Sequence, residues 1–210
     1  RHGFSQKSLE ISRLRIQNRI NHRLKRRYLK CLDTIDDLDF SSATQKENRV
    51  VWLCWLQGME NAPKLVQFCY ESVLKNLSNY EIKVITKENY SNYTEFPDYI
   101  VKKWKKGLIT NTHFSDLLRL ELLVKHGGFW LDATVWCTSS KVPDYISESN
   151  LFMYQVLKPG RDGHTLNVSS WLIQAKSNHK ILYAVRHLLY EYWKKENSLV
   201  DYFLIHHFFA

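Results

Sequence analysis

Residues 112–135 read THFSDLLRLELLVKHGGFWLDATV, and this stretch decides the fold class that the rest of the chain must fit. It combines a leucine-rich helix, a Gly-Gly break that tolerates positive φ and ends the helix, and a short apolar strand at residues 129–131. The strand delivers a single carboxylate, Asp132. Because side chains at strand ends open into the crevice above an α/β sheet, the pattern predicts an α/β protein with a site at Asp132.

The helix predicted over residues 112–126 carries two polar stripes. Glu121 and Lys125 are four residues apart and are expected to pair on one side, while Asp116 and Arg119 share a face nearly opposite. The remaining positions are mainly aliphatic, so both stripes cannot face bulk water on a helix this apolar. We expect one stripe to line a cleft. The competing interpretation is that Asp116 and Arg119 form an ordinary surface ion pair.

A strand, a helix and a second strand precede this stretch. Residues 50–56 (VVWLCWL) predict a buried strand, residues 61–76 a helix, and residues 81–86 (EIKVIT) an alternating strand. Such a unit is right-handed and parallel by default. Trp52 and Trp55 are three apart on the first strand and point to opposite faces, so one can be core while the other faces a ligand.

Further elements are predicted on either side of the central stretch: a helix at residues 97–106, a strand or strand edge at residues 135–137, strands at residues 151–157 and 168–175, and a long helix at residues 178–195. The loop at residues 158–164 (KPGRDGH) either closes over a substrate or is an ordinary mobile loop. The chain ends on an apolar run, YFLIHHFFA, which leaves open that the natural protein continues past Ala210.

Size and cysteine usage restrict the class of protein. A chain of 210 residues that is 44% hydrophobic can bury a substantial core without a metal or disulfide staple. Its four cysteines show no C-x-x-C spacing, which argues against a zinc site and a secreted disulfide framework and favours a cytoplasmic setting. We find no apolar run of about 18 residues and no leader pattern, so neither a spanning helix nor a signal peptide is expected.

The net charge of +9 is concentrated in one segment. Residues 11–32 contain eight Lys and Arg residues and no acid, and residues 1–10 have a net charge of +1, so residues 33–210 are balanced. In the basic segment an apolar residue recurs every fourth position from Ile16 to Leu32, which predicts an amphipathic helix. We therefore divide the chain into a basic helix with a polar linker, residues 1–48, and a main domain, residues 49–210.

The basic helix has two interpretations. It either packs on the main domain with a solvated basic face, or docks on anionic lipid headgroups and places the protein on the inner face of the cell membrane. Nucleic acid is not expected as a partner, because the arginines are not interleaved with a stacking platform and no nucleic-acid-binding motif is found.

Four segments together carry a family resemblance: WLCWLQG (residues 52–58), HFSDLLRLELLVKHGGFWLDATV (113–135), SSWLIQAK (169–176) and YFLIHHFF (202–209). In order and spacing they resemble the bacterial capsular polysaccharide synthesis glycosyltransferases. These are relatives of the transferases whose sugar-binding region contains a DXD motif, a group that is also similar to the glucosylating clostridial toxins. The resemblance spans about residues 49–209.

The resemblance implies a GT-A fold, a Rossmann-like mixed sheet flanked by helices that binds a nucleotide diphosphate sugar at its strand ends. In it, Trp55 matches the aromatic residue that stacks on the nucleotide base, and Asp132 matches the first carboxylate of the DXD motif. Asp116 and Arg119 match the acid and base that hold the sugar hydroxyls and the phosphate-sugar region. A UDP-sugar donor and a retaining hexosyl transfer are the corresponding expectations.

One departure from the family pattern affects the metal. Asp132-Ala133-Thr134 replaces Asp-x-Asp, so a hydroxyl, Thr134, stands where the second carboxylate is expected. Mn²⁺ or Mg²⁺ prefers hard oxygen ligands, and one carboxylate with donor phosphates and water is a workable but weaker set. His206 or His207 could complete this set, or the two histidines are exposed or satisfied in packing.

These observations predict a glycosyltransferase that transfers a sugar from a nucleotide diphosphate donor to a growing surface polysaccharide or its lipid-linked precursor. Two alternatives remain open. One is a non-catalytic nucleotide-sugar or glycan-binding module, which the Thr134 departure supports. The other is a membrane-surface adaptor built on the basic helix.

Overall fold

The computed structural model describes residues 5–35, 37–40, 49–155 and 168–210 and shows a five-stranded sheet flanked by helices. The strands are β1 (Val50–Cys54), β2 (Glu81–Ile85), β3 (Gly128–Leu131), β4 (Leu151–Gln155) and β5 (Val168–Ala175). The helices are α1 (Gln6–Tyr28), α2 (Lys64–Asn76), α3 (Asp98–Lys105), α4 (Asn111–His126), α5 (Asp144–Ser147), α6 (Lys180–Lys195) and α7 (Leu204–Phe209). The predicted α/β class is therefore confirmed.

The sheet is mixed, with strand order β2-β1-β3-β5-β4. β1 pairs in parallel with β2 and β3, whereas β5 runs antiparallel to both β3 and β4. The carboxyl ends of β1, β2 and β3 consequently lie along one edge, next to the beginning of β5. That edge is where a parallel α/β sheet opens a crevice for ligands.

Two hydrophobic cores cover the two faces of the sheet. The larger one packs α3, α4, α6 and α7 around Trp52, Trp130 and Ile173, which are all but inaccessible to solvent. The smaller one joins Val73 of α2 and Ile146 of α5 to the opposite face. Alternating strand residues thus enter different cores, as the period of two in a strand requires.

The Gly-Gly break between α4 and β3 lets two backbone segments approach closely. Gly127 and Gly128 adopt φ values of 69° and 98°. A Cβ at Gly128 would lie 2.5 Å from the carbonyl oxygen of Val50 on β1, and one at Gly127 would lie 2.7 Å from the N–H nitrogen of Ser177. Glycine is therefore needed here for close packing as well as for ending the helix.

Several predicted boundaries change. β1 ends at Cys54 rather than residue 56, and residues 135–137 form no strand, so the prediction of a strand or strand edge there was wrong. The backbone of this segment is hydrogen-bonded to α2 rather than to a strand, because the side-chain amide of Asn76 donates to the carbonyl oxygen of Cys137. The last part of the strand predicted at residues 151–157, the loop at residues 158–164 and much of the linker before residue 49 lie outside the described residues.

The C-terminal half of α1 packs on the main domain. Leu24 and Tyr28 are buried, and the Tyr28 ring lies 5.7 Å from the ring of Tyr192 on α6 and 5.9 Å from that of Phe208 on α7. Further toward the N-terminus, Ile16 is 55% exposed. Across the described part of the chain, no helix combines the length and apolarity needed to cross a membrane.

Candidate functional site

Helix α4 supplies two of the three charged side chains that meet at the carboxyl end of β3. Thr110 caps its N-terminus, with the hydroxyl oxygen accepting from the N–H of His113 at 3.4 Å. Its aliphatic side chains are buried in the larger core, which fixes the rotation of the helix about its axis. Asp116 and Arg119 are thereby held one helical turn apart on the side facing the end of β3.

Arg119 lies at the centre of this cluster. Its Nη2 is 3.2 Å from Oδ1 of Asp116 and 3.3 Å from Oδ1 of Asp132, and its Nη1 donates to the carbonyl oxygen of Ser170 at 2.6 Å. The guanidinium carbon lies 4.9 Å from the centre of the Trp130 ring. With 6% of its side chain exposed, Arg119 ties α4, β3 and β5 together.

Asp132 is the most accessible member of the cluster. Its backbone N–H donates to the carbonyl oxygen of Trp171 at 2.8 Å, which extends the β3–β5 pairing by one residue. Its Oδ1 accepts from the indole N–H of Trp130 at 2.8 Å. The side chain is nonetheless 37% exposed, so the carboxylate can reach a ligand while Arg119 and Trp130 hold its orientation.

Asp116 occupies a different environment. Burial raises the pKa of Asp116, the charges of Arg119 and His113 oppose that rise, and the carboxylate of Asp132 adds to it. His113 lies one turn earlier on α4, and its Nε2 donates to the carbonyl oxygen of Tyr202 at 3.1 Å. The segment that precedes α7 is thus attached to the same face of α4 as the carboxylate cluster.

Glu121 and Lys125 do not pair with each other, which corrects the prediction for the second polar stripe of α4: Glu121 is buried and Lys125 is exposed. Glu121 pairs with Arg186 of α6, Oε2 to Nη1 at 2.9 Å, and accepts from the hydroxyl of Tyr190 at 2.7 Å. Lys125 instead reaches Glu95 at 3.4 Å. Glu121 is thus withdrawn from bulk water by a distant partner, whereas Lys125 stays exposed.

Sequence reasoning missed Cys54 as part of the site environment. Burial raises the pKa of the Cys54 thiol to about 12, with Arg119 acting to lower it and Asp132 to raise it. The thiol therefore stays protonated at neutral pH within electrostatic reach of the cluster. A signal was available, since Cys54 ends a parallel strand next to β3, just as Asp132 follows β3.

Trp52 and Trp55 differ in burial. Trp52 is 1% exposed and donates from its indole N–H to the carbonyl oxygen of Gly127 at 2.9 Å. Trp55 follows β1, is half-buried, and donates its backbone N–H to the carbonyl oxygen of Ile85 at 3.0 Å. Its indole Nε1 is buried without a hydrogen-bond partner among the described residues, so this side chain keeps an unused donor at the ligand edge of the sheet.

Thr134 lies in the turn that follows Asp132. The N–H of Val135 donates to the carbonyl oxygen of Asp132 at 3.0 Å and closes this turn, which leaves Thr134 exposed. Of the predicted site residues, Asp116, Arg119 and Asp132 meet in one cluster, and Thr134 follows Asp132 by two residues on the solvent side.

The two histidines of α7 lie in different surroundings. His207 is buried, contacts Asn21 of α1 through Nδ1, and has its Nε2 3.2 Å from Oδ1 of Asp201. This arrangement matches the packing interpretation for His207. The ring of His206 lies 5.5 Å from that of Phe203.

The protein donors for a divalent metal are few. In the described ranges no group of three or more His, Cys, Asp and Glu residues assembles. Asp132 offers one partly open carboxylate, and its Oδ1 is already engaged by Arg119 and Trp130. The pairing of Asp132 with His206 as metal ligands stays a prediction.

The family of the chain is shown by its sequence. The sequence model of the capsular polysaccharide synthesis protein family matches residues 2–210, so the chain belongs to that family. The match includes the N-terminal segment that precedes the sequence blocks quoted above.

The chain is also similar to a protein named glycosyltransferase afumC from Aspergillus fumigatus (strain CBS 144.89 / FGSC A1163 / CEA10). The two are 29% identical over 110 residues, which is 48% of this chain and 28% of the relative. The aligned part thus covers well under half of that relative's length.

Proposed function

We propose that this chain is a glycosyltransferase of the GT-A type. It transfers a hexosyl group from a nucleotide diphosphate sugar, with a UDP-sugar favoured, to a growing surface polysaccharide or its lipid-linked precursor. Family membership and the name of the relative support this class of activity. The observation that carries the proposal is the partly open carboxylate of Asp132, held by buried Arg119 at the carboxyl end of β3.

The charge balance of the cluster determines which part of the donor it suits. Asp116 and Asp132 share the single guanidinium of Arg119, so the cluster has a net charge of −1 when both carboxylates are ionised. Carboxylates accept hydrogen bonds from sugar hydroxyls, and they repel a diphosphate. In our proposal the two aspartates bind the sugar, and Arg119 positions them rather than binding phosphate.

The same balance suits the transfer step. The bond from the anomeric carbon to the diphosphate oxygen breaks with its electron pair on that oxygen, and the transition state resembles an oxocarbenium ion. The acceptor hydroxyl oxygen then bonds to the anomeric carbon and transfers its proton to the departing diphosphate oxygen. Fixed carboxylates at Asp116 and Asp132 stabilise the positive charge that develops on the sugar ring.

The departing diphosphate gains negative charge, and Mn²⁺ or Mg²⁺ would neutralise it as a Lewis acid. Asp132 is the residue that would hold such an ion, with His206 as the second candidate ligand. Trp55, with its half-buried ring and unused indole N–H, is placed by this proposal against the nucleotide base. Retention of the anomeric configuration remains an expectation from the family resemblance.

Release of nucleotide diphosphate from a panel of UDP- and GDP-sugars, with and without Mn²⁺ and with saccharide acceptors, tests the proposal. We expect Asp132→Asn to lower turnover by about 10²–10³-fold, the usual cost of one electrostatic contact in the transition state. Asp98→Asn is the matched control, because Asp98 is an exposed aspartate paired with Lys102 on α3. Turnover that survives both Asp132→Asn and Arg119→Ala would show that the site is assigned wrongly.

A non-catalytic binding module is the second candidate, and the exposed hydroxyl of Thr134 in place of a carboxylate favours it. This alternative predicts stabilisation by nucleotide sugars without release of nucleotide. Thermal unfolding at increasing ligand concentration measures binding separately from turnover, because stabilisation follows the ratio of ligand concentration to Kd. Stabilisation in the absence of turnover with every donor and acceptor would establish the module.

For α1 we propose peripheral contact with an anionic membrane surface, where lipid-linked acceptors reside. Leu9 and Ile16 are exposed and continue the apolar stripe that is buried at Leu24 and Tyr28. A cavity of about 640 Å³ lies along the neighbouring basic face and is lined by Asn18, Arg19, His22, Arg23, Arg26 and Arg27. Exposed apolar residues beside an arginine-rich face are typical of helices that lie in a membrane interface.

Co-sedimentation with vesicles tests this contact. We expect binding to vesicles that contain phosphatidylserine, weakened by added salt and by Arg19→Glu with Arg23→Glu. The control carries Lys105→Glu and Lys106→Glu, exposed positions at the end of α3. Equal binding to neutral vesicles, or equal loss in the control, would contradict the proposal.

A further inference from the structure

Two partly exposed aromatic rings lie beside the carboxylate cluster, one on β4 and one on β5. The ring of Trp171 on β5 is stacked on the ring of Tyr154 on β4, with the centroids 5.0 Å apart and an angle of 11° between the planes. Each of the two residues is nonetheless 38% exposed. An exposed aromatic surface of this kind is typical of places where a protein binds a partner or a ligand.

The backbone at Trp171 is hydrogen-bonded to two members of the cluster. The carbonyl oxygen of Trp171 accepts from the N–H of Asp132 at 2.8 Å, and that of Ser170 accepts from Nη1 of Arg119 at 2.6 Å. Residues that face each other across an antiparallel ladder in this way have Cα atoms about 5.5 Å apart. The aromatic pair therefore begins next to the partly open carboxylate of Asp132, on its β5 side.

The strand order β2-β1-β3-β5-β4 gives the two sides of Asp132 different neighbours. Trp55 follows β1 on one side of β3, whereas Trp171 and Tyr154 lie on β5 and β4 on the other side. In the proposed function the nucleotide base lies against Trp55 and the donor sugar lies at Asp132. A donor in this orientation leaves the β5 side of Asp132 to the acceptor.

The charges near the pair indicate which kind of acceptor fits. Neither β4 (LFMYQ) nor β5 (VSSWLIQA) contains Asp, Glu, Lys, Arg or His. The neighbouring cluster has a net charge of −1 when Asp116 and Asp132 are ionised, so it repels an anionic ligand. Flat apolar rings with a hydroxyl and an indole N–H at their edges suit a neutral sugar, whose ring has C–H groups on its faces and hydroxyls around its rim.

We propose that Trp171 and Tyr154 form an acceptor platform, on which a neutral saccharide stacks while its terminal hydroxyl lies at Asp132. The assignment to the acceptor rests on the proposed function, whereas the exposed ring pair and its backbone link to Asp132 do not. The platform binds by removing apolar surface of the rings and of the sugar from water. It therefore contributes to the affinity for the acceptor and not to that for the donor.

Titration of the ¹⁵N-labelled chain with maltotriose, cellotriose and triacetylchitotriose tests the platform. The indole N–H resonance of Trp171 is assigned by its loss in Trp171→Phe, and we expect at least one of the three trisaccharides to shift it saturably. Trp171→Ala should weaken that trisaccharide about tenfold, and Trp171→Phe, which keeps an aromatic ring, should weaken it less. If none of the three shifts this resonance, the proposal is overturned.

A matched control and a nucleotide titration separate the platform from other surfaces. Trp136 is also an exposed tryptophan, but it adjoins Cys137, which packs in the smaller core and is bonded to α2. Trp136→Ala should leave the trisaccharide affinity unchanged, and an equal loss in this variant would contradict the platform. Trp171→Ala should leave the affinity for UDP unchanged. If it weakens UDP and not the trisaccharide, the rings belong to the nucleotide site and the proposal is overturned.

Kinetics distinguish a failure of the platform from a failure of the proposed function. With a donor and an acceptor that support transfer, Trp171→Ala should raise the KM for the acceptor about tenfold and leave the KM for the donor unchanged. Transfer with an unchanged acceptor KM in Trp171→Ala would refute the platform and leave the transferase standing. Trisaccharide binding at Trp171 without release of nucleotide from any donor would refute the transferase and leave the saccharide-binding platform standing.

Discussion

The guanidinium of Arg119, in the middle of α4, lies 3.3 Å from the carboxylate of Asp132, just beyond the end of β3. The Gly-Gly turn between the two elements reverses the chain, so that β3 returns along α4 and brings its end back to this arginine. A helix, a tight turn and a strand that are contiguous in sequence therefore build one charged cluster.

Replacing Arg119 with Met should lower the free energy of unfolding by about 3–5 kcal/mol, because Asp116 is left as a buried carboxylate without its cation. Adding Asp116→Asn should recover part of that loss, and a double-mutant cycle measured by urea unfolding gives the coupling. Lys102→Ala is the control, since its pair with Asp98 is exposed and is worth about 0–1 kcal/mol. Equal effects of Arg119→Met and Lys102→Ala would contradict the buried cluster.

Asp116 should make stability depend on pH in a defined direction. Its pKa is raised in the folded chain, mainly by burial, above its ordinary value of 3.8. The folded state then holds the proton more tightly than the unfolded state, so this contribution is fully present below pH 3.8 and is lost as the pH rises through the raised pKa. Urea unfolding across this range should show that part of the unfolding free energy of the wild type falls as the pH rises, and that this part is absent in Asp116→Asn. An identical pH dependence in the two proteins would refute it.

The corrected partner of Glu121 can be checked by substitution. Arg186→Met should cost about 3 kcal/mol in unfolding free energy, because Glu121 is buried and would retain the hydroxyl of Tyr190 without a cation. Lys125→Met should cost about 0–1 kcal/mol, since Lys125 pairs with an exposed glutamate. If Lys125→Met cost more than Arg186→Met, the result would support the originally predicted pair between Glu121 and Lys125.

Gly128→Ala should destabilise the chain more than Gly107→Ala. Both glycines have positive φ, 98° and 73°, so each alanine incurs backbone strain of about 1–2 kcal/mol. At Gly128 a Cβ also meets the carbonyl oxygen of Val50 at 2.5 Å, whereas Gly107 has open space. Unfolding free energies of the two variants separate strain from close approach, and equal values would argue against the tight contact between β1 and β3.

The Cys54 thiol should resist alkylation in the folded chain. Its pKa is raised to about 12 by burial, so its thiolate fraction at pH 8 is far below that of an ordinary cysteine. Iodoacetamide should label Cys54 about 10²–10³-fold more slowly in the folded protein than in urea, as followed by peptide mass spectrometry. Labelling at the same rate in both states would contradict the buried position at the end of β1.

Local sequence patterns determined the elements and the position of the cluster. The apolar run of α4, the Gly-Gly break and the aromatic strand lie next to each other in sequence, so their periodicity predicts a helix, a turn and a strand without distant partners. The spacing of Asp116 and Arg119 puts them on one helical face for the same reason. The spacing of Trp52 and Trp55 likewise predicted that one could be core while the other was not, and Trp52 is buried whereas Trp55, just past β1, is half-buried.

The tertiary structure decided which partner each polar group takes. Arg186 satisfies Glu121, and the carbonyl oxygen of Ser170 accepts from Arg119, yet both lie more than one element away along the chain. The side chains of Asn76 and Ser72 take the backbone C=O and N–H of Cys137, so these groups bond to α2 and not to a neighbouring strand. Periodicity along a chain specifies which face of an element is buried, whereas the partner of a buried charge depends on how distant elements pack, and that information is absent from any single stretch.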